Sequence, residues 1–116
     1  MNFELSEEHK MIRAAAREFA QELKHGVIAR DEEAKFPHEF MPQMGALGFM
    51  GIMVPPQYGG SGLDTLAYVL VLEEIAKIDA STAVILSAHN SLVLWGLNAY
   101  GTEEQKLKYL VPLAKG

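Results

Sequence analysis

No cysteine occurs among these 116 residues. That absence excludes disulfides, thiolate metal sites and thiol nucleophiles together, and it suits a reducing compartment. Basic residues are few: ten Lys and Arg stand against fifteen Asp and Glu, a formal charge of −5. An acidic surface repels phosphate backbones and anionic membranes, so neither nucleic acid nor a membrane is an expected partner. The four histidines, His9, His25, His38 and His89, show no metal-ligand spacing, and no metal is expected. Long apolar runs are lacking too. Glu73-Glu74 stops residues 66–72, and Ser87, His89, Asn90 and Ser91 interrupt residues 83–97, so neither reads as a membrane span. Residues 1–8 are acidic, unlike a secretory signal or a transit peptide. The expected location is the cytoplasm, or the mitochondrial matrix if a leader has been removed.

What is present is an apolar fraction of 49%, enough for the core of one soluble domain. Ser6 reads as an N-cap, with Glu7 and Glu8 at the positive end of a helix dipole. Ile12, Ala16, Phe19 and Leu23 recur at helical spacing, and His25-Gly26 closes a first helix over residues 6–25. Residues 27–35 are charged and read as irregular. Pro37 fits the first position of a second helix, and Pro42, inside that segment, should kink or delay it. Residues 51–63 carry Pro55-Pro56 and Tyr58-Gly59-Gly60-Ser61-Gly62, a loop by composition. Asp64 caps a third helix running to about Asp79, and Ser81 caps a fourth running to about Tyr100. Thr102-Glu103-Glu104-Gln105 is a capping box that opens a fifth, which Pro112 bends or ends. No segment alternates with a period of two. The expected fold is all-α, a bundle of about five helices. The third and fourth are apolar nearly all round, so a domain of this size can cover one of them and hardly both.

Generic catalytic signals are weak. Glu32-Glu33 and Glu73-Glu74 are adjacent pairs that do not face each other on a helix, and they read as solvated. The Gly59-Gly60-Ser61-Gly62 loop lacks the lysine of a P-loop and the spacing of a dinucleotide fingerprint, so a plain turn is expected rather than a phosphate cradle.

Taken in order, the motifs carry a resemblance. Residues 54–64, VPPQYGGSGLD, resemble the "VPEEYGGSGLD" segment of acyl-CoA dehydrogenases. Leu72-Glu73-Glu74-Ile75-Ala76 looks like the family's "LEELA" helix. Ala80-Ser81-Thr82-Ala83 with Ser87-Ala88-His89-Asn90-Ser91-Leu92 looks like its "AST…S-x-HNSL" helix. Gly101-Thr102-Glu103-Glu104-Gln105-Lys106 with Tyr109-Leu110 and Pro112-Leu113-Ala114 is similar to its "GTEEQKxxYLPPLASG" ending. Pro42 departs from the usual pattern. The resemblance covers essentially the whole chain and implies its N-terminal helical domain, with residues 1–116 a single domain. A middle β-domain and a C-terminal helical domain, absent from this chain, would follow. The family oxidises acyl-CoA thioesters between the α and β carbons, as in fatty-acid β-oxidation, using FAD and a catalytic glutamate carried outside this stretch. The resemblance therefore implies no catalytic residue here, no FAD on this chain alone, and no activity of this chain alone. It implies partners for the parent: the remaining domains, an electron-transfer flavoprotein, and further copies in a homo-oligomer, a tetramer.

The resemblance places Val84, Ile85, Ala88 and Leu92 on the helix face that meets the acyl tail. A hydrocarbon chain needs a wall free of unpaired polar groups, which these side chains supply. The small Ala88 leaves depth while Ile85 and Leu92 take it away, a pattern like that of short-chain, butyryl-type members. The plainer reading of such a stripe is core packing. Ser87, Asn90 and Ser91 form a polar patch expected to hydrogen-bond within or between domains, with substrate contact as the second reading. His89 is expected as a packed or surface residue, Trp95 as a core or interface anchor, and Tyr58 with the glycine loop as a turn, with the edge of a CoA tunnel as the second reading. The alternative to an enzyme domain is a free-standing helical oligomerisation or interaction module without catalysis, using its bare apolar helices.

Overall fold

The computed structural model describes all 116 residues and contains helices and no strands. Helix α1 spans Glu7–Leu23, with the Ser6 hydroxyl accepting the His9 N–H at its start. It buries Ala16, Phe19, Ala20 and Leu23, one stripe at helical spacing. Gly26 turns the chain in the left-handed region, φ 77°. A short helix, α2 (Val27–Glu32), then forms where the sequence reads as irregular. Its stability is tertiary. Arg30 of α2 folds inward and donates to the carbonyls of Leu23 (2.6 Å) and His25 (2.8 Å), closing the end of α1.

The second expected helix begins later than Pro37. That proline precedes a single 3₁₀ turn, His38–Phe40, and α3 runs over Met41–Ala46. Pro42 therefore sits in the first turn of α3, where its missing N–H has no carbonyl to bond, and it breaks nothing. The next helix, α4 (Thr65–Ala76), is capped as expected by Asp64, which accepts the Ala67 N–H.

Helix α5 runs unbroken over Ala80–Tyr100. Its cap is Asp79 and not Ser81: the Asp79 carboxylate accepts both the Thr82 N–H (3.2 Å) and the Thr82 hydroxyl (2.8 Å), leaving Ser81 exposed in the first turn. By length and apolarity α5 could cross a membrane. One face of it, however, lies in the core through Thr82, Ala83, Leu86, Asn90 and Leu94. The final helix, α6 (103–115), opens with the expected capping box, Thr102 to Gln105 in both directions. Pro112 does not end it. A widened π turn over Lys106–Leu110 precedes the proline, and the helix continues through Val111–Lys115.

The chain forms a slab of 42 × 40 × 20 Å, so most helices keep one face uncovered. The main core lies between α1, α3, α4 and the first half of α5, around Phe19, whose ring meets Phe40 and Phe49 edge-on at 6.2 and 6.1 Å. A smaller core of Val54, Tyr58, Leu94, Leu110 and Ala114 joins α5 to α6. Glu74 belongs to the interior, contrary to the solvated reading of its pair: its side chain is 5% exposed and is held by Arg17 (3.0 Å) and Lys77 (3.1 Å). Glu73 beside it is exposed, because adjacent helical residues point to different sides.

Candidate functional site

The candidate site is the outer face of α5, and the backbone of that helix decides which side chains reach it. Residues Ala88–Leu94 form a π turn. Four residues overshoot an ordinary 3.6-residue turn by about 40°, whereas a wider turn brings every fourth residue back into line. Here that geometry keeps Leu86, Asn90 and Leu94 together on the buried face. The same geometry aligns Val84, Ala88 and Leu92 on the outer face, where Val84 is 66% and Leu92 72% exposed and Ala88 is half-buried.

The π turn loosens carbonyls that side chains then cover. Asn90 Nδ2 donates to the Leu86 carbonyl at 3.1 Å, and Ser91 Oγ donates to the Ser87 carbonyl at 2.6 Å. Asn90 also donates to Phe49 O (2.9 Å) and accepts from Ile52 N (3.1 Å). Both amide protons are thus committed inside the domain, where Asn90 is buried. The Ser87 hydroxyl accepts from Tyr68 OH at 3.1 Å, tying α5 to α4. All three residues of this polar trio thus make hydrogen bonds to groups of their own chain. His89 is half-buried and bonds the Leu113 carbonyl at 2.8 Å, joining α5 to α6.

Two depressions flank the apolar row. On one side, a groove of about 590 Å³ is lined by Met53, Leu63, Tyr68, Ser91, Trp95 and Asn98 among others. Trp95 is 55% exposed and stacks edge-on against Tyr100 at 5.7 Å, so it belongs to the surface rather than the core. On the other side, Ile85 borders a cleft of about 380 Å³ between α5, α2 and the turn at residues 34–37. Tyr68, Met53 and Asn98 carried no signal in the sequence. Tyr68 sits within an apolar helix run, and its contact with Ser87 is set by how α4 packs on α5.

The glycine loop is a turn. The Gly60, Ser61 and Gly62 amides donate to Pro55, Gly51 and Val54 carbonyls, so they are not free to cradle a phosphate. Gly60 is required there, because a Cβ would lie 2.1 Å from the Val54 carbonyl oxygen. Tyr58 anchors the loop by donating to Glu103 at 2.7 Å, which raises the phenol pKa above its ordinary value. At the other end of the loop, the Asp64 carboxylate is held below the usual range by the Ala67 N–H and by His9, 2.9 Å away.

Residues 6–116 match the family described as acyl-CoA dehydrogenase, N-terminal domain. The chain belongs to that family. It is 49% identical, over its full length, to the short-chain-specific acyl-CoA dehydrogenase of Clostridium acetobutylicum, of which it covers 31%. Its backbone superposes on butyryl-CoA dehydrogenase from Megasphaera elsdenii with a TM-score of 0.93 and 37% identity, covering 99% of this chain and 31% of that one. A chain solved in work on the electron transferring flavoprotein of Acidaminococcus fermentans gives 0.95 and 44%, covering 100% and 31%. The domain thus spans about a third of the relatives it matches. Within this acyl-CoA dehydrogenase domain, α5 turns Val84 and Leu92 outward.

Proposed function

We propose that this domain supplies one wall of the acyl pocket of an acyl-CoA dehydrogenase, with Val84, Ile85, Ala88 and Leu92 as the surface against the acyl tail. The observation that carries the reading is the uncovered row on α5. A soluble domain gains nothing by leaving Val84 and Leu92 this exposed unless something apolar covers them. The parent enzyme dehydrogenates acyl-CoA thioesters between the α and β carbons, with short acyl groups as the substrate class. Its flavin, FAD, supplies the electron sink there. The residues of this chain do not fit FAD on their own: the one glycine-rich loop has its amides engaged with backbone carbonyls. Ser87 and Ser91 hold the shape of the pocket edge. The similarity to a chain solved in work on an electron transferring flavoprotein, and to a subunit of a caffeyl-CoA reductase-Etf complex, supports such a protein as electron acceptor, and a homo-oligomer in the cytoplasm or mitochondrial matrix completes the reading.

The test compares two proteins. The full-length protein carrying these residues should bleach its flavin absorbance on addition of butyryl-CoA, and the 116-residue chain alone should purify colourless and leave acyl-CoA unchanged. Tight, stoichiometric flavin on the short chain would overturn the assignment of roles. A second reading, a helical interaction module, draws on the exposed Tyr100, Leu107 and Tyr109. It requires the isolated chain to form a stable oligomer that protects α5 and α6 from hydrogen exchange, and a monomer at high concentration would remove it.

A further inference from the structure

Away from α5, three polar side chains form a hydrogen-bonded chain that the acyl-wall reading does not use. Ser6 caps α1 by accepting the His9 N–H at 3.2 Å, and a cap needs nothing further. The Ser6 hydroxyl, however, also lies 2.7 Å from His9 Nδ1. The other ring nitrogen, Nε2, lies 2.9 and 3.0 Å from the two oxygens of Asp64, 55 residues along the chain. The Ala67 N–H and His9 keep the Asp64 carboxyl ionised, so it accepts and does not donate. The Nε2–H of His9 therefore donates to Asp64. In the neutral ring, Nδ1 is then left with a lone pair that accepts the Ser6 O–H.

We propose that Ser6 is an activated nucleophile that takes an acyl group from small, uncharged activated esters, with His9 as its general base and Asp64 positioning the ring. A nucleophile, a base within hydrogen-bond reach and a third group orienting that base are the parts this chemistry needs. Such a set is recognised by geometry and roles, and here the two ring nitrogens are exchanged relative to serine proteases. Exposure suits the roles. Ser6 is open to solvent, whereas the His9 side chain is 16% exposed and held from both ends. The Glu7 and Glu8 amides, in the first turn of a 17-residue helix, have no carbonyl of that helix to bond. Amides at a helix start stabilise the oxyanion that forms when a carbonyl carbon is attacked. The step balances within the site. Ser6 Oγ bonds the acyl carbon as its proton moves to His9 Nδ1. The bond from that carbon to the leaving oxygen then breaks, and the leaving group takes the proton from Nδ1. The Glu7 and Glu8 side chains, exposed on the same turn, repel anionic donors, which selects uncharged ones.

The experiment treats the full-length protein with 4-nitrophenyl acetate and maps acetylated peptides by mass spectrometry. Ser6 should carry one acetyl group and acquire it faster than any surface lysine. Ser6→Asn keeps the cap, since Asn caps a helix as well as Ser, and should abolish acetylation of that peptide. His9→Gln should slow acetylation of Ser6 by about 100-fold, the ordinary worth of a general base. Asp64→Asn keeps the cap of α4 and should slow it by about tenfold, but only while His9 is present. In the His9→Gln background it should change nothing, an outcome that a merely structural loss would not give. Thermal unfolding confirms that each variant is folded. Acetyl groups confined to lysines overturn the proposal, and so does a Ser6 rate that His9→Gln leaves unchanged. An Asp64→Asn loss of equal size in both backgrounds removes Asp64 from the role given to it.

Discussion

The carboxamide of Asn90 grips the backbone of Phe49, donating to its carbonyl at 2.9 Å from the middle of α5. The same side chain accepts the Ile52 N–H at 3.1 Å, so one residue pairs both polar groups of a buried turn. Removing it leaves those groups in the core without partners, at a cost of about 1–3 kcal/mol for each. Asn90→Leu should therefore lower the melting temperature by roughly 10 °C or more. Thermal unfolding followed by circular dichroism checks this. A shift of a degree or two would mean that the turn relaxes to reach water.

The two glycines of unlike surroundings predict opposite signs. A Cβ on Gly96, inside α5, meets nothing within 4 Å. Gly96→Ala should stabilise the domain by about 0.5–1 kcal/mol through backbone entropy. Gly60→Ala drives its Cβ into Val54, 2.1 Å from the carbonyl oxygen, and should cost about 1–3 kcal/mol or prevent folding. Urea titration of the pair reads both signs.

Arg30 and Asp79, each 9% exposed at the side chain, form a buried ion pair between α2 and the start of α5. Breaking such a pair from one side leaves the other charge uncompensated, a loss of about 3–5 kcal/mol. Arg30→Ala should show that loss and melt α2, seen as early hydrogen exchange at residues 27–32. If α2 stays protected, its helix does not depend on Arg30.

Stability should depend on acid through Glu74. The Arg17 hydrogen bond, ahead of the one from Lys77, holds its carboxyl below the ordinary value. A carboxylate lowered in the folded state stabilises the fold above the unfolded pKa, and that contribution fades as pH drops through the folded one. Unfolding free energy should thus decline as pH falls below about 4.3, the ordinary glutamate value. Glu74→Gln should flatten the decline, and equal slopes in the two proteins would assign the acid sensitivity to other groups.

Ala88→Leu separates the acyl wall from the core. Ala88 is half-buried on the outer row, so the added bulk should change folding stability by no more than about 0.5 kcal/mol. In the full-length enzyme it should cut kcat/KM for hexanoyl-CoA by more than for butyryl-CoA. Equal losses would place the acyl tail on another face.

Local signals carried much of the fold. The Ser6 and Asp64 caps and the capping box at Thr102 each depend on atoms three residues apart, so they are readable from the string alone. The cap of α5 lies two positions before the expected one because Asp79 and Ser81 are both good caps, and the deciding carboxylate is also the partner of Arg30. α2 is hidden from the sequence for a related reason. Its six residues have no apolar period, and carbonyls at the end of α1 hold it in place through Arg30.

The sequence by itself determined the helical class, the order of five of the six helices and the family. Each of these depends on periodicity or on motifs contiguous along the chain. Only the tertiary structure decided the burial of Glu74, the clamp of Asn90 on the turn at 49–52, the pairing of Tyr68 with Ser87 and the cleft behind Ile85. Those features join residues brought close by packing, and the energy that selects them comes from satisfying buried polar groups and filling space between helices, which no local pattern encodes.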